Sequence, residues 1–203
     1  MPGPGLVRAA ADAGLDFWAV TDPRLGPPEP LVKAGIPHQR LVSADFGEVS
    51  ALRTLLTALA RQHDVRHVLS LAGDSGSALA AGAATTARAV HRALFPEREA
   101  AASRLPDPSA LRRLIGRSGA PVDGPGPVFG VRTLTVDGMH LVADITAAGP
   151  AARPPTESQR SVIRQAVRDL LDLVGYESGA ARTDVLLTAR GARVVASREL
   201  GHG

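Results

Sequence analysis

The stretch Gly175 to Gly203, with the helix pattern before it, narrows the possible folds more than any other part of the chain. Val162, Ile163, Ala166, Val167, Leu170, Leu171 and Val174 recur at helical spacing between Arg160 and Val174, and Gly175 supplies the stop. Two apolar runs follow, Val185 to Leu187 and Val194 to Val195, on either side of Ala189-Arg190-Gly191. β-Branched and leucine residues around a glycine that tolerates positive φ predict a β-hairpin.

A second hairpin is predicted upstream. Val128 to Val136 and Met139 to Thr146 are strand-like and meet at Asp137-Gly138, a strong two-residue turn signal. Ala147 to Pro155 is an Ala/Gly/Pro loop.

The first half alternates differently. A helical pattern over Leu6 to Ala13 stops at Gly14, and Leu15 to Thr21 reads as a buried strand. A Pro- and Gly-rich loop is expected over Pro23 to Pro30, and a second strand over Gln39 to Ser43. A helix over Gly47 to His63, a third strand over Arg66 to Leu71 and an Ala-rich helix from Asp74-Ser75 to about Leu94 complete it. Such alternation predicts an open, mostly parallel α/β sheet, followed by an α+β region with antiparallel hairpins. Helices over Pro96 to Ser103 and Ser109 to Arg117 flank a break at Pro106-Asp107-Pro108, and Gly119 to Pro127 is a turn-rich linker. Three segments result: residues 1–95, 96–127 and 128–203.

These words resemble those of ATP-grasp carboxylate–amine ligases. In the first segment they are Gly3-Pro4-Gly5-Leu6-Val7-Arg8-Ala9-Ala10, Ala13-Gly14-Leu15, Trp18-Ala19-Val20-Thr21-Asp22-Pro23, and Val68-Leu69-Ser70 with Asp74-Ser75. They resemble the family's pre-ATP-grasp domain, in which the Gly-Pro-Gly turn follows a central strand. Here that turn stands at Met1, so the strand is expected upstream, or from another segment or a neighbouring subunit. The words from Val128 to His140 resemble the strand pair opening the family's third domain, and the last stretch its helix, glycine and metal-holding hairpin.

On that hairpin the frame persists at Leu173, Gly175, Gly179, Thr183, Thr188, Gly191 and Arg193. The family's strand histidine falls on Arg182, its first metal ligand on Asp184 and its proline on Ala192. Its essential Glu falls on Ala196, the Asn-like partner on Arg198 and the following Arg on Leu200. Asp184 is an acceptable Mg²⁺ ligand, but Ala196 offers no donor and Arg198 brings positive charge toward a cation. Glu199 is the other local carboxylate, one residue out of phase with Arg198. The family's central lid, with its glycine-rich loop and phosphate-gripping lysines, belongs between Gly116 and Pro127, and nothing there replaces it. Lys33, far from that point, is the single lysine among 23 basic residues.

Composition removes other classes. The chain has no cysteine, which excludes disulfides, thiolate metal sites and thiol catalysis. No apolar run approaches membrane-spanning length and no signal peptide is recognisable, so a cytoplasmic protein without membrane partners is expected. Arginines outnumber lysine 22 to one, as expected of a GC-rich bacterial coding bias. They are scattered and nearly balanced by acids, with a net charge of +3, so nucleic acid is not the expected partner.

His140 is the one histidine placed on a hairpin that, by resemblance, faces the former active cleft. Paired with Asp137 or Asp144 it could serve as a general acid or base, and alternation puts it on the same strand face as Asp144, although a solvent-facing histidine is the ordinary expectation. Three readings follow. A degenerate homologue without ligation would bind a small carboxylate or other anion, or serve as a partner subunit or homo-oligomer, with no cofactor. A shortened ligase would use Mg-ATP through Asp184 and Glu199. A repurposed ATP-independent cyclase or isomerase would use Arg182, Arg198, Asp184 and His140.

Overall fold

The computed structural model describes residues 4–70, 77–97, 105, 110, 126–149 and 153–200. The chain divides into two compact units, Met1–Ala102 with Leu200–Gly203, and Ser103–Glu199. The expected helices over 96–103 and 109–117 and the linker over 119–127 lie almost wholly outside the described residues, although Pro96, Glu97 and Ala110 are helical.

In the first unit, helix α1 (Pro4–Asp12) buries Leu6, Val7 and Ala10. Gly14, at φ +71°, ends the turn that follows it. Strands β1 (Ala19–Thr21) and β2 (Leu41–Ser43) pair in parallel, in register Ala19↔Leu41 to Thr21↔Ser43. Between them the Pro-rich stretch is not all loop. It holds a 3₁₀ turn at Pro23–Leu25 and a short helix, α2 (Glu29–Lys33), because prolines at Pro28 and Pro30 sit where a helix start leaves N–H groups unused. Leu31 on α2 is fully buried and packs with Val7, Ala34 and Ile36.

Helices α3 (Val49–Gln62) and α4 (Ala78–Leu94) pack on one another. Ser77 caps α4, whose buried face is built from Ala80, Ala83, Ala84, Ala87 and Val90. The third strand expected over Arg66 to Leu71 does not form in its described part, residues 66–70. Val68 N–H donates to His91 Nδ1 of α4 at 3.2 Å instead of to a neighbouring strand. The class is α/β as expected, with a parallel sheet of two short strands.

The second unit is a four-stranded antiparallel sheet in the order β4-β3-β5-β6, with one helix on it. Strands β3 (Val128–Val136) and β4 (Met139–Ala147) turn at Asp137-Gly138, both at positive φ (+49° and +75°) as the two-residue hairpin requires. Helix α5 (Glu157–Leu173) starts from a capping box between Thr156 and Gln159. It ends with Gly175 at φ +61° and Tyr176 N–H bonded back to Leu171 C=O at 2.9 Å. Strands β5 (Gly179–Thr188) and β6 (Gly191–Glu199) form the last hairpin, with Gly191 at φ +122°.

Ile163, Val167 and Leu171 of α5 meet Phe129, Val131, Ile145, Ala181 and Val185 of the sheet, and Tyr176 closes the cluster. Burying such side chains contributes roughly 1.5–3 kcal/mol each. Tyr176 lies so close to Gly179 that a Cβ there would stand 2.3 Å from the phenolic oxygen, and Gly179 has φ +134°. No described helix is long and apolar enough to cross a membrane.

Candidate functional site

The helix covers one face of the antiparallel sheet, and pairing assigns every side chain to that face or the other. Residues directly opposite each other across strands share a face. Phe129, Val131, Thr133 and Thr135 of β3 face α5 with their partners Val185, Thr183, Ala181 and Gly179 on β5. The intervening residues, Gly130 and Arg132 on β3 with Asp184 and Arg182 on β5, point away.

Two β-bulges complicate the edges. On β4, Arg132 pairs with Asp144 but Thr133 pairs with Val142, leaving Ala143 as an extra residue. On β6, Asp184 pairs with Ala196 but Val185 pairs with Val194, leaving Val195 extra. Each extra residue reverses the alternation beyond it.

Of the residues singled out in the sequence, Arg182, Arg198 and Asp184 lie together on the face away from α5. Arg182 pairs with Arg198, and Asp184 with Ala196. Arg182 Nε lies 3.4 Å from Asp184 Oδ1. Its guanidinium lies over Gly130, where a Cβ would meet Nη2 at 3.2 Å. A row runs across all four strands here: Asp144, Arg132, Arg182 and Arg198.

His140 and Glu199 lie on the opposite, helix-covered face. Glu199 pairs with fully buried Ala181, and its Oε1 accepts from Leu105 N–H at 3.1 Å. Burial, and then the charge of Glu199, pushes the Tyr176 phenol well above its ordinary range. His140 pairs with Thr135, and its Nδ1 lies 2.9 Å from the Thr135 hydroxyl. Its Nε2 lies 3.2 Å from Asp172 Oδ1 in the last turn of α5. The expected His140–Asp144 pair does not exist, because the bulge at Ala143 turns Asp144 to the other face. Nor is His140 solvent-facing. Its side chain is 5% exposed and ties β4 to α5.

This donor set does not suit Mg²⁺. Asp184 and Glu199 lie on opposite faces and cannot converge on one ion, and the nearest charge to Asp184 is a guanidinium. Among the described residues no group of three or more His, Asp or Glu side chains is placed to hold a metal.

No family model matches the sequence, and no curated protein matches it. Solved structures do. An L-amino acid ligase from Bacillus licheniformis is 13% identical, with a TM-score of 0.41 over 98% of this chain and 66% of that one. A phosphoribosylglycinamide synthetase from Anaerococcus prevotii is 11% identical, with a TM-score of 0.33 over 98% and 66%. The biotin carboxylase domain of a single-chain bacterial carboxylase is 15% identical, with a TM-score of 0.36 over 98% and 59%. The chain spans 66% or less of the length of each.

The first unit holds a cluster that sequence reading passed over. Asp22 follows β1 and caps the 3₁₀ turn at Pro23–Leu25. Its carboxylate, 1% exposed, accepts from Arg24 N–H at 2.8 Å, from Arg24 Nε at 3.0 and 3.2 Å and from Nη2 at 2.6 Å. Phe46 N–H, just past β2, adds a contact at 2.8 Å, and Arg24 also pairs with Asp45. The guanidinium hydrogen bond, ahead of the opposing cost of burial, holds the Asp22 carboxyl well below the usual carboxylate range. The same bond raises Arg24. The local signal was present as Asp-Pro-Arg directly after a buried strand, a side-chain cap of the next turn. The cluster lies at the carboxyl ends of two parallel strands, where open α/β sheets place their ligands.

Proposed function

We propose that the protein is a degenerate ATP-grasp homologue that no longer performs ATP-dependent carboxylate–amine ligation and acts as a small-molecule-binding or partner subunit. The observation that carries the reading is the setting of Asp184: it faces Ala196, is met by Arg182, and has Glu199 on the far side of the sheet. A metal–phosphate site needs hard anionic oxygens converging on one point. This face supplies arginines at the positions that resemblance gives to a histidine and an Asn-like ligand.

Thermal unfolding with and without millimolar Mg-ATP, against ADP and Mg²⁺ alone, tests it. A ligand at about a hundred times its Kd adds roughly 2.7 kcal/mol, well above the resolution of a melting curve. No shift is expected. A magnesium-dependent shift that disappears in Asp184→Ala would overturn the reading in favour of a shortened ligase. A repurposed enzyme using the arginine face would have to find its acid or base elsewhere than His140, which lies behind the sheet.

A further inference from the structure

We propose that residues 66–70 are a third strand held off the β1–β2 sheet by His91, and that protonation of His91 releases them to pair with β1. This switch lies within the first unit and is independent of the reading above. Arg66-His67-Val68-Leu69-Ser70 has a strand-like apolar centre, yet it pairs with no strand among the described residues, and Val68 and Leu69 are only half-buried. β1 pairs with β2 alone among the described residues, so one of its edges has no strand neighbour there. The segment starts close to that strand. Trp18, directly before β1, stacks on His63, three residues before the segment, with ring centroids 4.0 Å apart. A segment that follows β2 and α3 enters such a sheet parallel to β1, through a right-handed crossover. The pieces of a three-stranded parallel sheet are present and unjoined.

The segment is tied to α4 at His91, whose Nδ1 accepts from Val68 N–H at 3.2 Å. A ring nitrogen that accepts a hydrogen bond carries no proton, so Nδ1 cannot both hold Val68 and belong to an imidazolium. Protonation replaces the acceptor with an N–H that faces the Val68 donor. Val68 N–H then needs another acceptor, and the open edge of β1 presents a row of backbone groups. Neutral His91 thus favours the tied state and imidazolium the joined one, so acid moves the population toward the joined state. The tie is complete above histidine's ordinary titration range, about pH 6.5, and is lost as pH falls through it. His67 of the segment stacks on His91 with ring centroids 5.9 Å apart, and Phe95 lies 5.2 Å from it. The other charged or titratable groups around it are Arg66 in the segment, Arg88, Arg92 and Glu97 on or after α4, and Arg61, His63 and Asp64 at the end of α3. Of these only His67 and His63 also change charge near neutral pH.

The test is amide hydrogen exchange of the full chain at about pH 8 and about pH 5, corrected for the intrinsic exchange rate. In wild type the amides of Ala19–Thr21 and of residues 66–70 should gain at least about tenfold protection at the lower pH, the opposite of what acid unfolding gives. His91→Asn puts a carbonyl near the place of Nδ1 and does not titrate, so it should stay tied at both pH values. His91→Phe keeps a ring beside His67 but has no acceptor, so it should show the higher protection at both. His67→Gln and His63→Phe should respond as wild type does. No gain of protection at Ala19–Thr21 in acid would overturn the proposal. So would a wild-type response in His91→Asn, or loss of the response in His67→Gln. None of these outcomes requires His91→Phe to fold.

Discussion

Two aspartate–arginine pairs spaced two residues apart, Asp22 with Arg24 and Arg182 with Asp184, end differently. Asp22 and Arg24 lie in a 3₁₀ turn at a strand end, where the backbone doubles back. There the carboxylate takes the Arg24 N–H and guanidinium together with Phe46 N–H. Arg182 and Asp184 lie within β5, where residues two apart share a face but stand nearly 7 Å from one another. Their side chains meet at 3.4 Å, from Arg182 Nε to Asp184 Oδ1. The same pair is a buried structural knot in a turn and a loose surface couple on a strand. Backbone conformation, not residue identity, decides what such a pair does.

The comparison can be broken most directly at Asp22. Asp22→Ala leaves Phe46 N–H, Arg24 N–H and Arg24 Nε without their acceptor, with Asp45 still meeting the guanidinium. It should lower the melting temperature of the first unit by more than Gly179→Ala or Asp184→Ala lowers that of the second. The fluorescence of the single tryptophan, Trp18, reads the first unit. An unchanged melt would mean that the knot contributes nothing.

The pH dependence sharpens the same point. The folded Asp22 carboxyl titrates below its unfolded value, so its contribution is complete above the ordinary carboxylate range and is lost as pH falls through the depressed folded value. The stability difference between wild type and Asp22→Asn should be constant above about pH 5 and shrink on acidification. A difference that grew in acid would contradict the assignment.

An intermediate effect is expected at Gly179, which anchors the start of β5. Gly179→Ala meets both a positive φ and the Tyr176 hydroxyl, and should cost about 1–3 kcal/mol in urea unfolding. Asp184→Ala should give the smallest change, about 0–1 kcal/mol, because its side chain is 40% exposed and its arginine contact is long. A larger loss would mean that the strand pair resembles the turn pair after all.

Much of the secondary structure was legible. The Asp137-Gly138 turn, the helix stop at Gly175 and the apolar stripe of α5 are local signals, and they form where the sequence places them. The helix α2 was hidden by prolines that normally mark loops, although the first turn of a helix accepts them. The strand expected over Arg66 to Leu71 had the right composition, but in residues 66–70 it found a histidine rather than a strand to pair with.

The candidate site was legible as residues and not as an arrangement. Sequence alone determined that position 196 is alanine, which offers no donor, and that positions 182 and 198 are arginines, whose charge opposes a cation. Only the tertiary structure decided which residues share a face. A bulge adds one residue without disturbing local composition or apolar pattern, yet it flips every side chain beyond it. At Ala143 it sends Asp144 to the arginine side while His140 stays with Thr135 and Asp172 under the helix. Sidedness is settled by pairing between strands far apart in the chain, and no short stretch of sequence carries that information.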